Sequence, residues 1–350
     1  MNSTLEDEPK SKRRWSGARE RLHRVAPATR EVFVGAPISS AWDRVQTLGA
    51  TAVELAPYQD EPAQMNSGAV GKNAFLHMGF ERRGARTAMV NVNRRVPFLV
   101  QRALHWDLGL PDMACVFIMT TSGGILQGDR YSLEIDVEAD ASAHVTTQSA
   151  TKIQSMDANY AAQVQTIRLQ EGAYLEYIPE PIIPYRDSRF ITDTRIEIHP
   201  SATLLYSEIL VPGRRYHHPD EYFGFDVFSS TITGYTPEGL ETYSEKFVLE
   251  PRKRPLRQVG VMGAYDIYAN VMLLTPPACA EAISAKIGAD LHPQRPVAYG
   301  VSKLPNDAGL VFKILGDEVQ PVKQKLREFQ AVVREIVKSA SLPPEFLWRR

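Results

Sequence analysis

The chain has 350 residues, enough to bury a large core in one big domain or two modest ones. Its 43% hydrophobic and 23% charged residues are those of an ordinary soluble globular protein, and a net charge of −1 excludes global attraction to nucleic acid or anionic lipid. Cys115 and Cys279 stand far apart with no CxxC spacing, so neither a thiolate metal site nor a disulfide framework is signalled and a reduced cytoplasm is the expected compartment.

Lys10, Lys12, Arg13 and Arg14 precede a polar stretch, which predicts neither a signal peptide nor a twin-arginine leader. No apolar run is long enough to span a membrane. Residues 1–70 mix charge, Pro and Gly without sustained period and read as a flexible extension, apart from a short helix around Ala41 to Leu48. Order is expected from Ala74 to Phe80 and from Thr87 to Val92, two strands around the turn Arg82-Arg83-Gly84, and again from Ala114 to Met119.

A repeat follows. Tyr131 to Val137 alternates apolar and polar residues before Ser142-Ala143-His144-Val145, Gln163 to Leu169 before Gly172-Ala173-Tyr174-Leu175, and Thr194 to Ile198 before Ser201-Ala202-Thr203-Leu204. A strand, a tight turn and a second strand at a step of about 30 residues are what successive coils of a β-solenoid or stacked two-layer sheet produce. An antiparallel sandwich with hairpins of similar length is the plain alternative. Either way residues 71–260 form a β-rich body.

The last segment, 261–350, changes period. Val261 to Leu274 reads as a strand, Pro277 to Ile287 as a helix opened by Pro, and Ala298 to Leu304 with Gly309 to Leu315 as a hairpin around Pro305-Asn306-Asp307. Val319, Val322, Leu326, Phe329, Val333 and Ile336 then recur at helical spacing. The fold class expected is therefore mainly β, solenoid-like stacked sheets carrying a small C-terminal α+β addition packed on the body.

Chemistry-bearing motifs lie mostly in the repeat. Gly123, Gly124 and Gly128 imply a backbone at positive φ or approached closely by another chain. They form no phosphate loop, and Gly68-Ala69-Val70-Gly71-Lys72-Asn73 also fails that pattern, so the chain is not expected to bind GTP. Thr146-Thr147-Gln148-Ser149-Ala150-Thr151-Lys152 reads either as an exposed strand or as a hydroxyl-rich docking surface.

Asp129, Glu176, Glu180, Asp187, Asp193 and Glu208 are the acids of the repeat, and carboxylates hold borderline divalent ions weakly. His217 and His218 are adjacent and on a strand would face opposite sides, which disfavours joint chelation. Arg252-Lys253-Arg254 with Arg257 is either a solvated loop or a patch for an acidic partner.

In order and spacing, Gly123-Gly124-Ile125-Leu126-Gln127-Gly128-Asp129, Thr146-Thr147 through Ala150-Thr151-Lys152, and Leu175-Glu176-Tyr177-Ile178-Pro179-Glu180 resemble the urease accessory protein family UreD, also called UreH. Ser207-Glu208-Ile209 with Gly213-Arg214 is similar to that family's acidic-then-Gly-Arg segment. Ser122, Gln127 and Gln148-Ser149 depart from the Pro, Gly and Pro-Gly usual there. The resemblance runs from about Phe75 into the C-terminal helix and leaves the first seventy residues uncovered.

It implies a β-helical body and a non-catalytic scaffold that bridges apo-urease and a UreF-type protein, which in turn recruits a UreG-type GTPase that delivers nickel. No tightly bound cofactor is implied, only transient Ni2+. Asp129, Glu176 and Glu208 then stand near the nickel route with Thr151 and Lys152 beside it, while Gly123, Gly124, Gly128, Glu180 and Arg214 shape the interaction surfaces. Read from the residues alone, Asp129, Glu176 or Glu208 also suit the general acid and base of a solenoid carbohydrate enzyme, and an assembly scaffold without nickel contact needs the same surfaces.

Overall fold

The computed structural model describes residues 38–60, 71–292 and 294–344, and the statements below concern those residues. Helix α1 (Ile38–Thr47) and a 3-10 turn (Val53–Tyr58) precede the hairpin β1 (Asn73–Arg83) and β2 (Arg86–Arg94), whose connection is the expected Gly84 turn. Then come β3 (Phe98–Val100), β4 (Ala114–Thr120), β5 (Arg130–Val137), β6 (Ser142–Thr147), β7 (Thr151–Ile153), β8 (Ala161–Leu169) and β9 (Tyr174–Tyr177). They are followed by β10 (Ile182–Pro184), β11 (Arg189–Ile198), β12 (Thr203–Leu210), β13 (Val227–Tyr235), β14 (Glu241–Leu249) and β15 (Ile267–Leu274). Helix α2 (Pro277–Lys286), the hairpin β16 (Val297–Lys303) and β17 (Gly309–Gly316), and helix α3 (Val319–Lys338) complete the order.

Two sheets hold these strands. The first is seven-stranded in the order β14-β13-β11-β8-β5-β1-β2, and the second runs β16-β17-β15-β12-β9-β6-β4-β3 with β7 and β10 paired off that path. The chain crosses between the sheets at each repeat, so β1, β5, β8, β11 and β13 lie parallel in one and β4, β6, β9 and β12 parallel in the other. Antiparallel strands form the rims.

The repeat is present in a different frame. Ser142 lies opposite Tyr174, not opposite the level of Gly172, whereas Tyr174 does lie opposite Thr203. What recurs is a turn ending in a buried alanine: Ala141 N–H donates to Glu138 O, Ala173 N–H to Gln170 O and Ala202 N–H to His199 O. In the first repeat the Ser142-Ala143 pair mimics this turn's sequence two residues later. An even slip keeps every side chain on its face, so the alternation alone does not reveal it.

Two expected boundaries move. Residues 38–60 are not part of a loose extension: Ala41, Val45 and Leu55 pack on Ala162, Val164, Ile191 and Val227 of the first sheet, on the side turned away from the second. Arg44 adds an ion pair with Asp193. The rest of that extension, residues 1–37 and 61–70, lies outside the described residues. At the other end, β15 pairs with β12 and β17 with β15, so the segment after residue 260 continues the body's own sheet.

Helix α3 lies on the outer face of this sheet, as its 3.6-residue stripe predicts. Val322, Leu326, Phe329 and Val333 are buried against Leu205, Val271, Phe312 and Ile314, each worth roughly 1.5–3 kcal/mol of burial. The Phe329 ring stacks on Phe312 with centroids 4.6 Å apart. No helix among the described residues is long and apolar enough to cross a membrane.

Candidate functional site

The space between the sheets is apolar at one end, where Leu76, Met78, Phe80, Val116, Leu133 and Ile135 meet. Further along it opens into a cavity of about 180 Å³, room for several waters. Its mouth is built from three loops carrying the motifs read in the sequence: Ser122, Gly123 and Gly124; Thr147 to Lys152; and Pro179 with Glu180.

Two of the three glycines meet the backbone requirement. Ile125 N–H donates to Lys152 O at 2.8 Å. This brings the chain so close that a Cβ on Gly124, at φ +150°, would stand 2.6 Å from that oxygen. Gly128 has φ +73° and donates its N–H to Tyr160 O at 3.0 Å. Gly123 is neither at positive φ nor crowded: a Cβ there would meet nothing within 4 Å.

The cavity floor is polar. Glu208 is buried, its Oε1 accepting from Tyr206 O–H at 2.7 Å and its Oε2 from Ser230 O–H at 3.0 Å. Burial pushes its carboxyl pKa up, and the negative charge of Glu245 adds to this, against those two hydrogen bonds and Lys313. Gln165 extends the network: its Nε2 donates to Thr194 Oγ1 at 2.9 Å and Tyr206 Oη at 3.1 Å, and its Oε1 accepts from Tyr177 O–H at 2.9 Å.

Thr192 also lines the cavity, buried, with its hydroxyl unpartnered. Gln165, Thr192, Tyr177, Tyr206 and Ser230 escape a search for catalytic or metal-ligating types. Their signal is positional: they are polar residues at positions where strand alternation calls for apolar ones.

The three acids singled out from the sequence part company. Only Glu208 reaches the cavity. Asp129 is fully buried and both its oxygens are engaged: Oδ1 accepts from Lys72 N–H at 2.8 Å, and Oδ2 from Leu126 N–H and Tyr131 O–H, each at 2.9 Å. It fixes the glycine loop at the mouth. Asp129→Asn leaves a donor facing the new amide NH2, and thermal unfolding is expected to register a loss of about 1–3 kcal/mol.

Glu176 faces the other way, under α3. Arg334 grips it with Nε at 2.6 Å and Nη2 at 2.7 Å, while His144 Nδ1 at 2.8 Å, Tyr174 O–H at 2.7 Å and Gln330 Nε2 at 2.9 Å complete its shell. Burial opposes this charge, yet Arg334 and His144 together hold the carboxyl well below the usual range. Arg334 also pairs with buried Asp107 at 2.5 Å.

Glu180 stands between the two regions, lining the cavity mouth and accepting from Lys323 of α3 at 2.9 and 3.1 Å. Thr151 and Lys152 also line the mouth. Arg214 does not: its guanidinium lies 3.8 Å over the Tyr185 ring and 2.5 Å from Glu221. Arg252 of the basic loop is bound within the chain, to Asp187 at 2.6 Å and Asp226 at 2.8 Å. No group of three or more His, Cys, Asp or Glu side chains among the described residues is placed to hold a metal ion.

Comparison with known proteins adds a family. The model of the UreD urease accessory protein family matches residues 72–349. A protein of Photorhabdus laumondii named urease accessory protein UreD is 52% identical over 312 residues, which covers 89% of this chain and 97% of that one. The protein of the same name from Yersinia pseudotuberculosis serotype O:1b is 52% identical over 306 residues, covering 87% and 95%. Urease accessory protein UreD 2 of Brucella canis is 50% identical over 295 residues, covering 84% and 98%.

Proposed function

The chain belongs to the UreD urease accessory protein family, and from that premise we propose that it is a non-catalytic maturation scaffold through which nickel reaches apo-urease. One observation carries the reading. Four motif segments spread along the chain, Gly123-Gly124, Thr147 to Lys152, Tyr177 to Glu180 and Glu208, converge on one cavity. Its mouth is hydroxyl-rich, with Lys152 and Glu180 as its charged groups, and its buried end holds the Glu208 carboxylate.

Nickel is cargo in this reading, not a resident cofactor. A transit path needs ligands weak enough to release, and dispersed carboxylates, Glu180 at the mouth and Glu208 at the floor, among hydroxyl and amide oxygens meet that need better than thiolates or paired imidazoles. Glu208 is the route residue. Asp129 supports the route by fixing the mouth loop, and Glu176 supports it by holding α3 in place. The apo-urease face, the UreF-type face and, through the latter, a UreG-type GTPase complete a cytoplasmic assembly. The alternation of strands between two parallel-stranded sheets is taken as a short β-helical winding that keeps the cavity open.

The test is a urease-positive host lacking its own UreD-type gene, supplied with this chain, its cognate urease and the other accessory genes. Urease activity and nickel content of the purified urease both return if the reading holds. Normal amounts of apo-urease without nickel would overturn it.

A further inference from the structure

Beside α3 the outer face of the second sheet holds another hollow, of about 90 Å³, walled by Trp106, Phe117, Ile178 and Ile209. Pro179 and Glu180 line it too, and both also line the cavity mouth, so one loop borders the two spaces. That loop is held from either side: Lys323 of α3 pairs with the Glu180 carboxylate, and Glu180 N–H donates to Thr147 Oγ1 at 2.9 Å.

The chain itself leads toward this hollow. Helix α3 stops at Lys338, and Ser339, in the left-handed region at φ +51°, turns the backbone away from the helix axis. The next residues run back along the helix. A Cβ on Gly109 would stand 2.2 Å from Ser341 O, and Arg327, 16 positions before Pro343, donates to the Pro343 carbonyl. Leu342, Pro343 and Pro344 thereby join the lining of the hollow. From the level of Arg327, Lys323 is one more helical turn, about 5–6 Å, a distance that two extended residues cover.

The six residues after Pro344 are Glu345, Phe346, Leu347, Trp348, Arg349 and Arg350. Three large apolar side chains among six are costly to leave in water, and an apolar wall stands within their reach. Charge agrees with this direction. The lining holds one carboxylate, Glu180, beside Lys323, Arg327 and Arg334, and the first residue to arrive brings a second. We propose that residues 345–350 lie across the hollow as a strap, Phe346, Leu347 and Trp348 covering Trp106, Phe117 and Ile178, and that the strap braces the Pro179-Glu180 side of the cavity mouth.

The experiment uses the full-length chain. Hydroxyl radicals are expected to oxidise Trp348 several-fold more slowly than in a free peptide of residues 341–350, equally at low and high protein concentration. In the double variant Phe346→Ala/Trp348→Ala, hydrogen exchange across residues 177–183 is expected to rise several-fold, while β5 in the other sheet is unchanged.

Trp348 as reactive in the wild-type chain as in the peptide overturns the strap, whatever the variant does. Protection that disappears on dilution overturns it as well, since the segment would then sit on a second copy. Stable protection with unaltered exchange at 177–183 overturns the brace. None of these readouts involves nickel or urease, so their outcome is independent of the maturation reading.

Discussion

Arg334→Met is expected to cost about 3–5 kcal/mol, because it strands two buried carboxylates, Glu176 and Asp107, without their common cation. At this chain size that corresponds to a fall in the unfolding midpoint of roughly 4–7 °C. The pH dependence separates charge loss from packing loss. In the wild type the Glu176 carboxyl pKa is lowered, so its stabilisation is fully present above its ordinary value near 4.5 and is withdrawn as pH falls toward the depressed one.

In the variant, burial opposes the Glu176 charge with His144 as the one cation left beside it, so much of that stabilisation is missing at neutral pH. The gap between the two proteins is therefore wide at neutral pH and narrows on acidification. Thermal unfolding at several pH values checks this, and a gap independent of pH would attribute the loss to packing alone.

Glu208→Gln is expected to do the opposite: slow nickel loading of urease on the order of tenfold while leaving the fold as stable or slightly more so. The carboxyl is buried and its pKa is raised, so the stability it allows at low pH is lost as pH rises through the folded value. Glutamine removes that loss and retains most of the volume. Loading is read as urease nickel content over time, and stability as the unfolding midpoint. Slow loading with an undiminished midpoint places Glu208 on the route, and unchanged loading would leave the chain a pure assembly scaffold.

Local features were legible in the sequence. The β1–β2 turn, the Pro-opened α2, the β16–β17 hairpin and the α3 stripe each depend on residues within a few positions of one another. The frame of the repeat was not, since Ser142-Ala143 and Asp140-Ala141 both offer a polar residue followed by Ala and only the ladder distinguishes them. Among the site residues, Asp129, Glu176 and Glu208 look alike as acids in strand-rich sequence.

Their difference lies in what the fold brings to them. Asp129 meets the Lys72 backbone, Glu176 meets Arg334, and Glu208 meets a cavity. The polar floor around Gln165 was hidden for a related reason: amides and hydroxyls are ordinary on a sheet, and their inward direction becomes visible only when both layers are present.

The clamp between Glu176 and Arg334 joins residues 158 positions apart. At ribosomal speeds of about 5–20 residues per second, Glu176 waits roughly 10–30 s on the nascent chain before its cation has been synthesised. As β12, β15 and β17 are added during that interval, the outer face of the second sheet, apolar around Leu205 and acidic at Glu176, has no α3 to cover it. A slower pace of decoding between these two codons lengthens that exposure without changing the equilibrium stability of the finished fold.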